Sequence, residues 1–282
     1  MQNLNDFKPT KDFLVCIDSD GCAMDTMNVK HKTCFGPKFV DIYGLGAYRE
    51  RVQTLWENIN LYTKTRGVNR FQGLVLALRA IREQNICPLA HEFDALEKWV
   101  AETTALSNQA LKAEAEKTGN PQLQLALSWS YAVNEAIEAL PDAEYAYRGV
   151  RAAMAQISRF ADIVVVSSAN GEALAHEWQF CGLTGYLRAM FGQEAGTKAS
   201  LIERLTSLGG YDKSRVLMIG DAPGDLRAAE KNGVLFYPIL AGKEEQSWQA
   251  LPAEALERFA SETYAGAYQQ ACISAFHENL MV

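Results

Sequence analysis

Three short apolar runs in this chain each end on a residue able to do chemistry, and that coincidence restricts the fold more than any other feature. Residues 13–18 read FLVCID, residues 163–167 read IVVVS, and residues 215–220 read RVLMIG with Asp221 next. A compact apolar run without polar alternation, bounded by acidic, serine or glycine residues, is the pattern of a strand buried on both faces. From residue 147 onward such runs alternate with helical stretches: 172–181 closed by Gly182, 198–208 ended by Gly209 and Gly210, and 223–232 followed by Gly233. Glycine just past a helix is a common stop signal. Further strands are expected near 189–192 and at 234–238. The alternation predicts the α/β class, a Rossmann-like parallel sheet covered by helices on both faces. Ligands of such sheets bind beyond the carboxyl ends of the strands. Asp18, Ser167 and Asp221 all belong to that edge.

Between residues 27 and 145 the pattern is helical throughout. Residues 73–84 and 94–118 repeat apolar residues at three- and four-residue intervals, and Asn120 with Pro121 forms a cap and first-turn pair for the helix that Pro141 ends. The expected organisation is therefore an α/β core from residues 1–26 and 146–282, interrupted by an all-helical domain at 27–145. Residues 242–282 read as amphipathic helix laid on the core through Trp248, Leu251, Leu256 and Phe259.

The strand ends carry the chemistry. Asp18-Ser19-Asp20-Gly21 offers one carboxylate as a nucleophile and a second, two residues on, as general acid and base. Gly21 permits the tight exit turn. Asp221 and Asp225, in GDAPGD, supply the oxygen ligands that hard Mg²⁺ prefers, although acidic residues also cap helices. Ser167 and Ser168 can hold phosphate oxygens. Lys198 opens a helix, where a cation is mildly unfavourable, and points toward the same edge.

In this order the segments resemble the four motifs of the haloacid dehalogenase superfamily, over residues 13–22 and about 147–238. The resemblance implies a nucleophile at Asp18, a general acid/base at Asp20, a phosphate-binding hydroxyl at Ser167 and the family's lysine at Lys198. It implies Mg²⁺ held by Asp18, Asp20 (through its backbone carbonyl) and Asp221, with Asp225 near the metal or near Lys198. The helical insert then resembles the family's cap domain. Two positions depart from the usual pattern: Ser19 replaces a bulky apolar residue, and Cys22 replaces threonine. An acid at position 20 favours phosphate esters over halides or phosphonates. The expected activity is a Mg²⁺-dependent phosphohydrolase for a small phosphate ester. The alternatives are a phosphomutase and a non-catalytic binding protein on the same scaffold.

Substrate choice belongs to the helical domain, where Lys64, Arg66 and Arg70 form the densest basic cluster; Arg70 is the candidate for a second anionic group of the substrate. The plainer expectation for that cluster is a solvated basic loop. A net charge of −7 removes the basic footprint of a nucleic-acid or anionic-membrane binder. The six cysteines and four histidines show no metal spacing, and thiols without pairing fit a cytoplasmic chain. A monomer or homodimer is expected.

Overall fold

The computed structural model describes residues 3–280. It divides into two compact units, one built from residues 1–27 and 142–282 and the other from residues 28–141.

The first unit is a five-stranded parallel sheet. Strands β1 (Phe13–Ile17), β2 (Ala161–Val166), β3 (Ala189–Phe191), β4 (Val216–Gly220) and β5 (Leu235–Pro238) lie in the order β3-β2-β1-β4-β5. β1 pairs with β2 on one side, Val15 opposite Ile163, and with β4 on the other, Val15 opposite Leu217. The order reverses at β1, so the switch point of the sheet lies at its carboxyl end. Alternate strand residues serve opposite faces. Val15, Ile17, Ile163, Val165, Leu217, Ile219, Leu235 and Tyr237 join one apolar cluster with Val150, Met154, Trp178, Trp248, Leu251, Leu256 and Phe259. Leu14, Cys16, Val164, Met218 and Phe236 are buried on the other face. With both faces covered, the strand positions are apolar apart from Asp162 at the amino end of β2, which is why the runs lack alternation.

The second unit is helical and interrupts the first along the chain. A helix opening at Thr26–Lys30 (α1) passes through a π-helical turn, His31–Phe35, into α2 (Gly36–Ile42). Helices α3 (Arg49–Glu57), α4 (Arg70–Glu83), α5 (Asp94–Glu102), α6 (Asn108–Thr118) and α7 (Pro121–Glu138) follow. The stretch 94–118 is two helices rather than one. Thr103 leaves the first in extended conformation, and Ser107 caps the second by accepting the Ala110 N–H at 3.2 Å. The aromatic centre of this unit is Trp56 and Trp129, ring centroids 5.7 Å apart, with Phe35, Phe39 and Phe71 around them. Of the basic segment Lys64 is exposed as a solvated loop predicts, whereas Arg66 is 1% exposed and donates to the Leu61 carbonyl at 2.6 Å. Its aliphatic stem packs inside and its head finds carbonyl oxygen.

Back in the first unit, helices α8 (Val150–Ile157) and α9 (Gly171–Phe180) serve the cluster face of the sheet. Helices α10 (Lys198–Gly209) and α11 (Pro223–Asn232) connect β3 to β4 and β4 to β5. The C-terminal stretch is α12 (Glu244–Ala250), a π-helical turn, α13 (Leu256–Ala260) and α14 (Ala267–Asn279). Trp248, Leu251, Leu256 and Phe259 are all buried, as their spacing predicts. Among the described residues, no helix is long and apolar enough to cross a membrane.

At the amino end of the sheet, Asp162 is 4% exposed. It accepts hydrogen bonds from the Thr10 N–H (2.7 Å), the Thr10 hydroxyl, the Lys11 N–H (3.1 Å) and the Tyr211 hydroxyl (2.6 Å). Burial raises its carboxyl, but these donors outweigh burial and hold it below the usual carboxylate range. The stabilisation is therefore complete above the unfolded-state value and lost as pH falls through the lower folded-state value. Asp162→Asn should cost about 2–3 kcal/mol in urea unfolding at pH 7. The gap between the two proteins should close in strongly acidic buffer. A constant gap at all pH values would contradict this account.

Candidate active site

Asp18 follows β1 directly, and its N–H donates to the Ile219 carbonyl at 3.0 Å, so the β1–β4 ladder itself fixes the residue. The chain then turns sharply. The Ser19 carbonyl accepts from the N–H groups of Cys22, Ala23 and Met24 at 2.9–3.2 Å, and Gly21 takes φ +81°, a conformation costly for any other residue. Two buried indoles hold this loop from outside. Trp178 Nε1 donates to Ser19 Oγ at 2.9 Å, and Trp248 Nε1 donates to the Cys22 carbonyl at 2.7 Å. Ser19 is fully buried, and Trp178 fills the space beside its small side chain. Cys22 is also fully buried, its thiol set on the Ile219 carbonyl at 3.5 Å. Burial, followed by the nearby carboxylates, pushes that thiol far up, so it packs rather than reacts.

Lys198, at the first position of α10, brings the other strand ends into play. Its Nζ lies 2.8 Å from Asp18 Oδ2 and 2.5 Å from Asp225 Oδ1. The second oxygen of Asp225, Oδ2, accepts the N–H groups of Asp221 and Ala222 at 3.2 and 3.0 Å. Asp225 thus joins the lysine to the backbone after β4. Asp18 is 5% exposed, and Asp221 and Asp225 are fully buried. One oxygen from each of the three lies within 4.8 Å of the others.

The electrostatics are lopsided. Burial drives the Asp18 carboxyl well above its usual range; Lys198 opposes this, while Asp225 and Asp221 add to it. For Lys198 burial works against the charge, but Asp18 and Asp225 outweigh it and push the ammonium up. We therefore take Lys198 as fully charged. Three carboxylates against one ammonium leave a formal charge of about −2 when all are ionised, in a site with little water. A divalent cation matches that charge, and oxygen-only donors match Mg²⁺. The residues present fit the metal.

Of the residues expected from sequence, Asp18, Lys198, Asp221 and Asp225 form this one cluster. Asp20 is half-buried beside it in sequence, its carboxylate accepting the Thr26 hydroxyl. Ser167 is 2% exposed just beyond β2, with its N–H on the Phe191 carbonyl at 3.0 Å and its Oγ accepting the Ala169 N–H at 3.1 Å. Ser168 is exposed. Arg70 belongs to the helical unit. The hydrogen bonds that Trp178, Trp248 and Thr26 give to this loop escaped sequence reasoning. Nothing in a tryptophan's local context announces a hydrogen bond to a loop more than a hundred residues away.

Gly220 shows how tight the assembly is. A Cβ there would lie 2.3 Å from Asp225 Cβ and 2.5 Å from its Cγ. The contact is with the root of a helical side chain, so it has no easy relief. Gly220→Ala should lower stability by about 1–3 kcal/mol in chemical unfolding. Unchanged stability would mean that Asp225 is less fixed than described.

Comparison with known proteins completes the description. A sequence profile for the haloacid dehalogenase-like hydrolase family matches residues 87–239, which include the Ser167, Lys198 and Asp221 segments but not Asp18. No curated protein matches the chain by sequence search. Among solved structures of similar fold is a conserved haloacid dehalogenase-like protein of unknown function from Agrobacterium tumefaciens. It is 14% identical with a TM-score of 0.53, over 88% of this chain and 98% of that one. A haloacid dehalogenase-like family hydrolase from Xanthomonas campestris is 14% identical with a TM-score of 0.50, over 91% of this chain and 96% of that one. At this identity the likeness concerns the fold.

Proposed function

The chain belongs to the haloacid dehalogenase-like hydrolase family, and from that premise we propose that it is a Mg²⁺-dependent phosphohydrolase acting on a small phosphate ester. The observation that carries the reading is the Lys198 ammonium held between Asp18 and Asp225 at the switch point of the sheet. A lysine there keeps one carboxylate oriented and supplies positive charge for an incoming dianion.

In this reading an oxygen of Asp18 attacks phosphorus as the bond to the ester oxygen breaks. Asp20 gives its proton to the departing alkoxide, leaving an aspartyl-phosphate on Asp18. Asp20, now a carboxylate, takes a proton from water, whose oxygen attacks the same phosphorus. Inorganic phosphate leaves and Asp18 is regenerated. The hydrogen bond from Thr26 orients Asp20 for both transfers. Ser167, Ser168 and the N–H groups after β2 receive phosphate oxygens, and Gly21 lets the backbone turn without a side chain in the way. Asp18 and Asp221, with the Asp20 carbonyl, would hold Mg²⁺, which when bound neutralises charge on the phosphoryl oxygens. Asp225 is a positioning residue, because one oxygen is committed to Lys198 and the other to two backbone N–H groups. The helical unit, inserted after the first motif, serves as the cap.

Phosphate release should be measured over a panel of phosphorylated metabolites, with Mg²⁺ and with EDTA. Mg²⁺-dependent turnover is expected, abolished in Asp18→Asn and reduced at least about 100-fold in Asp20→Asn with the fold retained. If no ester on a broad panel releases phosphate from folded, Mg²⁺-loaded protein, the hydrolase reading fails. Lys198→Ala should lower turnover and also raise the Mg²⁺ concentration needed for half-maximal activity, because Asp18 loses the partner of its Oδ2. An unchanged Mg²⁺ requirement together with unchanged turnover would remove Lys198 from the site.

A further inference from the structure

Helix α9 meets the site at two places. Its amino end follows the loop after β2 that carries Ser167 and Ser168, and Asn170 caps it by accepting the N–H groups of Glu172 and Ala173 at 3.0 and 3.2 Å. That loop is itself pinned. Ser167 Oγ accepts the Ala169 N–H at 3.1 Å, and the Gln193 N–H donates to the Ala169 carbonyl at 2.9 Å. Two turns further along the same helix, about 10 Å from its start, Trp178 donates from Nε1 to Ser19 Oγ at 2.9 Å.

Ser19 stands between the two acids that follow β1. Its carbonyl already accepts the N–H groups of Cys22, Ala23 and Met24, so the hydroxyl is a second, independent hold on the same residue. An indole only donates, which fixes Ser19 Oγ as the acceptor. Both partners are fully buried in the first unit, and the indole lies in the apolar cluster with Val15, Ile17, Leu174 and Leu183. A bulky apolar residue at position 19 would pack there without a preferred direction. A hydroxyl meeting a donor in apolar surroundings is directional, and losing the alignment leaves a buried polar group unmet, so the pair tolerates little displacement.

We propose that Trp178 and Ser19 form a positioning pair: the indole sets Ser19, and with it the Asp18 and Asp20 carboxylates, in register with the phosphate-binding loop at the other end of α9. The proposal rests on the hydrolase reading and adds to it a residue outside the four motifs. Neither side chain takes part in the transfer; the pair acts through the loop it holds.

The probe is beryllium fluoride, a tetrahedral phosphoryl mimic that coordinates a carboxylate oxygen. It is titrated calorimetrically into the Mg²⁺-loaded full chain, beside urea unfolding of each variant. The wild type should bind it saturably and Asp18→Asn should not. Ser19→Ala and Trp178→Phe should each bind it at least about tenfold more weakly at a temperature where both are folded. The double variant should bind as weakly as the singles, yet be no less stable than the worse of them, because the buried N–H and its acceptor are then both gone. If Trp178→Phe does not fold, Ser19→Ala keeps the indole and its packing and should show the same weakening. Wild-type affinity in folded Ser19→Ala or in the double variant overturns the positioning role and leaves Asp18 as the acceptor. No binding by the wild type overturns the hydrolase reading, and the role of the pair with it.

Discussion

The contact of Lys198 with Asp18 on one side and Asp225 on the other is the interaction on which the site depends. It joins the ends of β1 and β4 and the start of α10 through a single ammonium. Without it, three buried carboxylates would face one another with no counter-charge, and desolvation would protonate them rather than hold them ready. Asp225 extends the link into the backbone by taking the N–H groups of Asp221 and Ala222. Gly220 leaves the room this requires.

That cluster is possible only because the sheet is parallel and buried on both faces. Parallel strands bring their carboxyl ends to one edge, and the reversal of strand order at β1 puts the switch point beside Asp18. The indoles of Trp178 and Trp248 then act on the loop rather than on the sheet, fixing Ser19 and the Cys22 carbonyl. Rigid strands set where Asp18 lies, and buried tryptophans set how the chain leaves it.

Most of this core was legible in the sequence, since a strand buried on both faces and a glycine beyond a helix are local signals. Helix α11 runs from Pro223 to Asn232 with Gly233 left-handed after it, where the motif placed it. The grouping of Lys198 with Asp18 and Asp225 was expected from the resemblance and is met in the geometry. What escaped was non-local. The break between α5 and α6 turns on the Ser107 cap, which a continuing apolar period conceals. Burial of Arg66 and the contacts of Arg70 with Ser130 and Asn134 depend on packing among segments distant in sequence, which charge composition does not show. Spacing puts Asp225 near the metal or near Lys198 without choosing between them; the structure sets one of its oxygens on Lys198 and the other on two backbone N–H groups, within the same carboxylate cluster.

The central claim is that Asp18 carries the phosphoryl group during turnover. Acid quenching with a radiolabelled ester, followed by borohydride reduction and peptide mass analysis, addresses it directly. The account predicts label on the quenched wild-type protein that reduction releases as Asp18 becomes homoserine, and neither label nor homoserine in Asp18→Asn. Phosphate release at full rate with no trapped label, or with label on another residue, would contradict it.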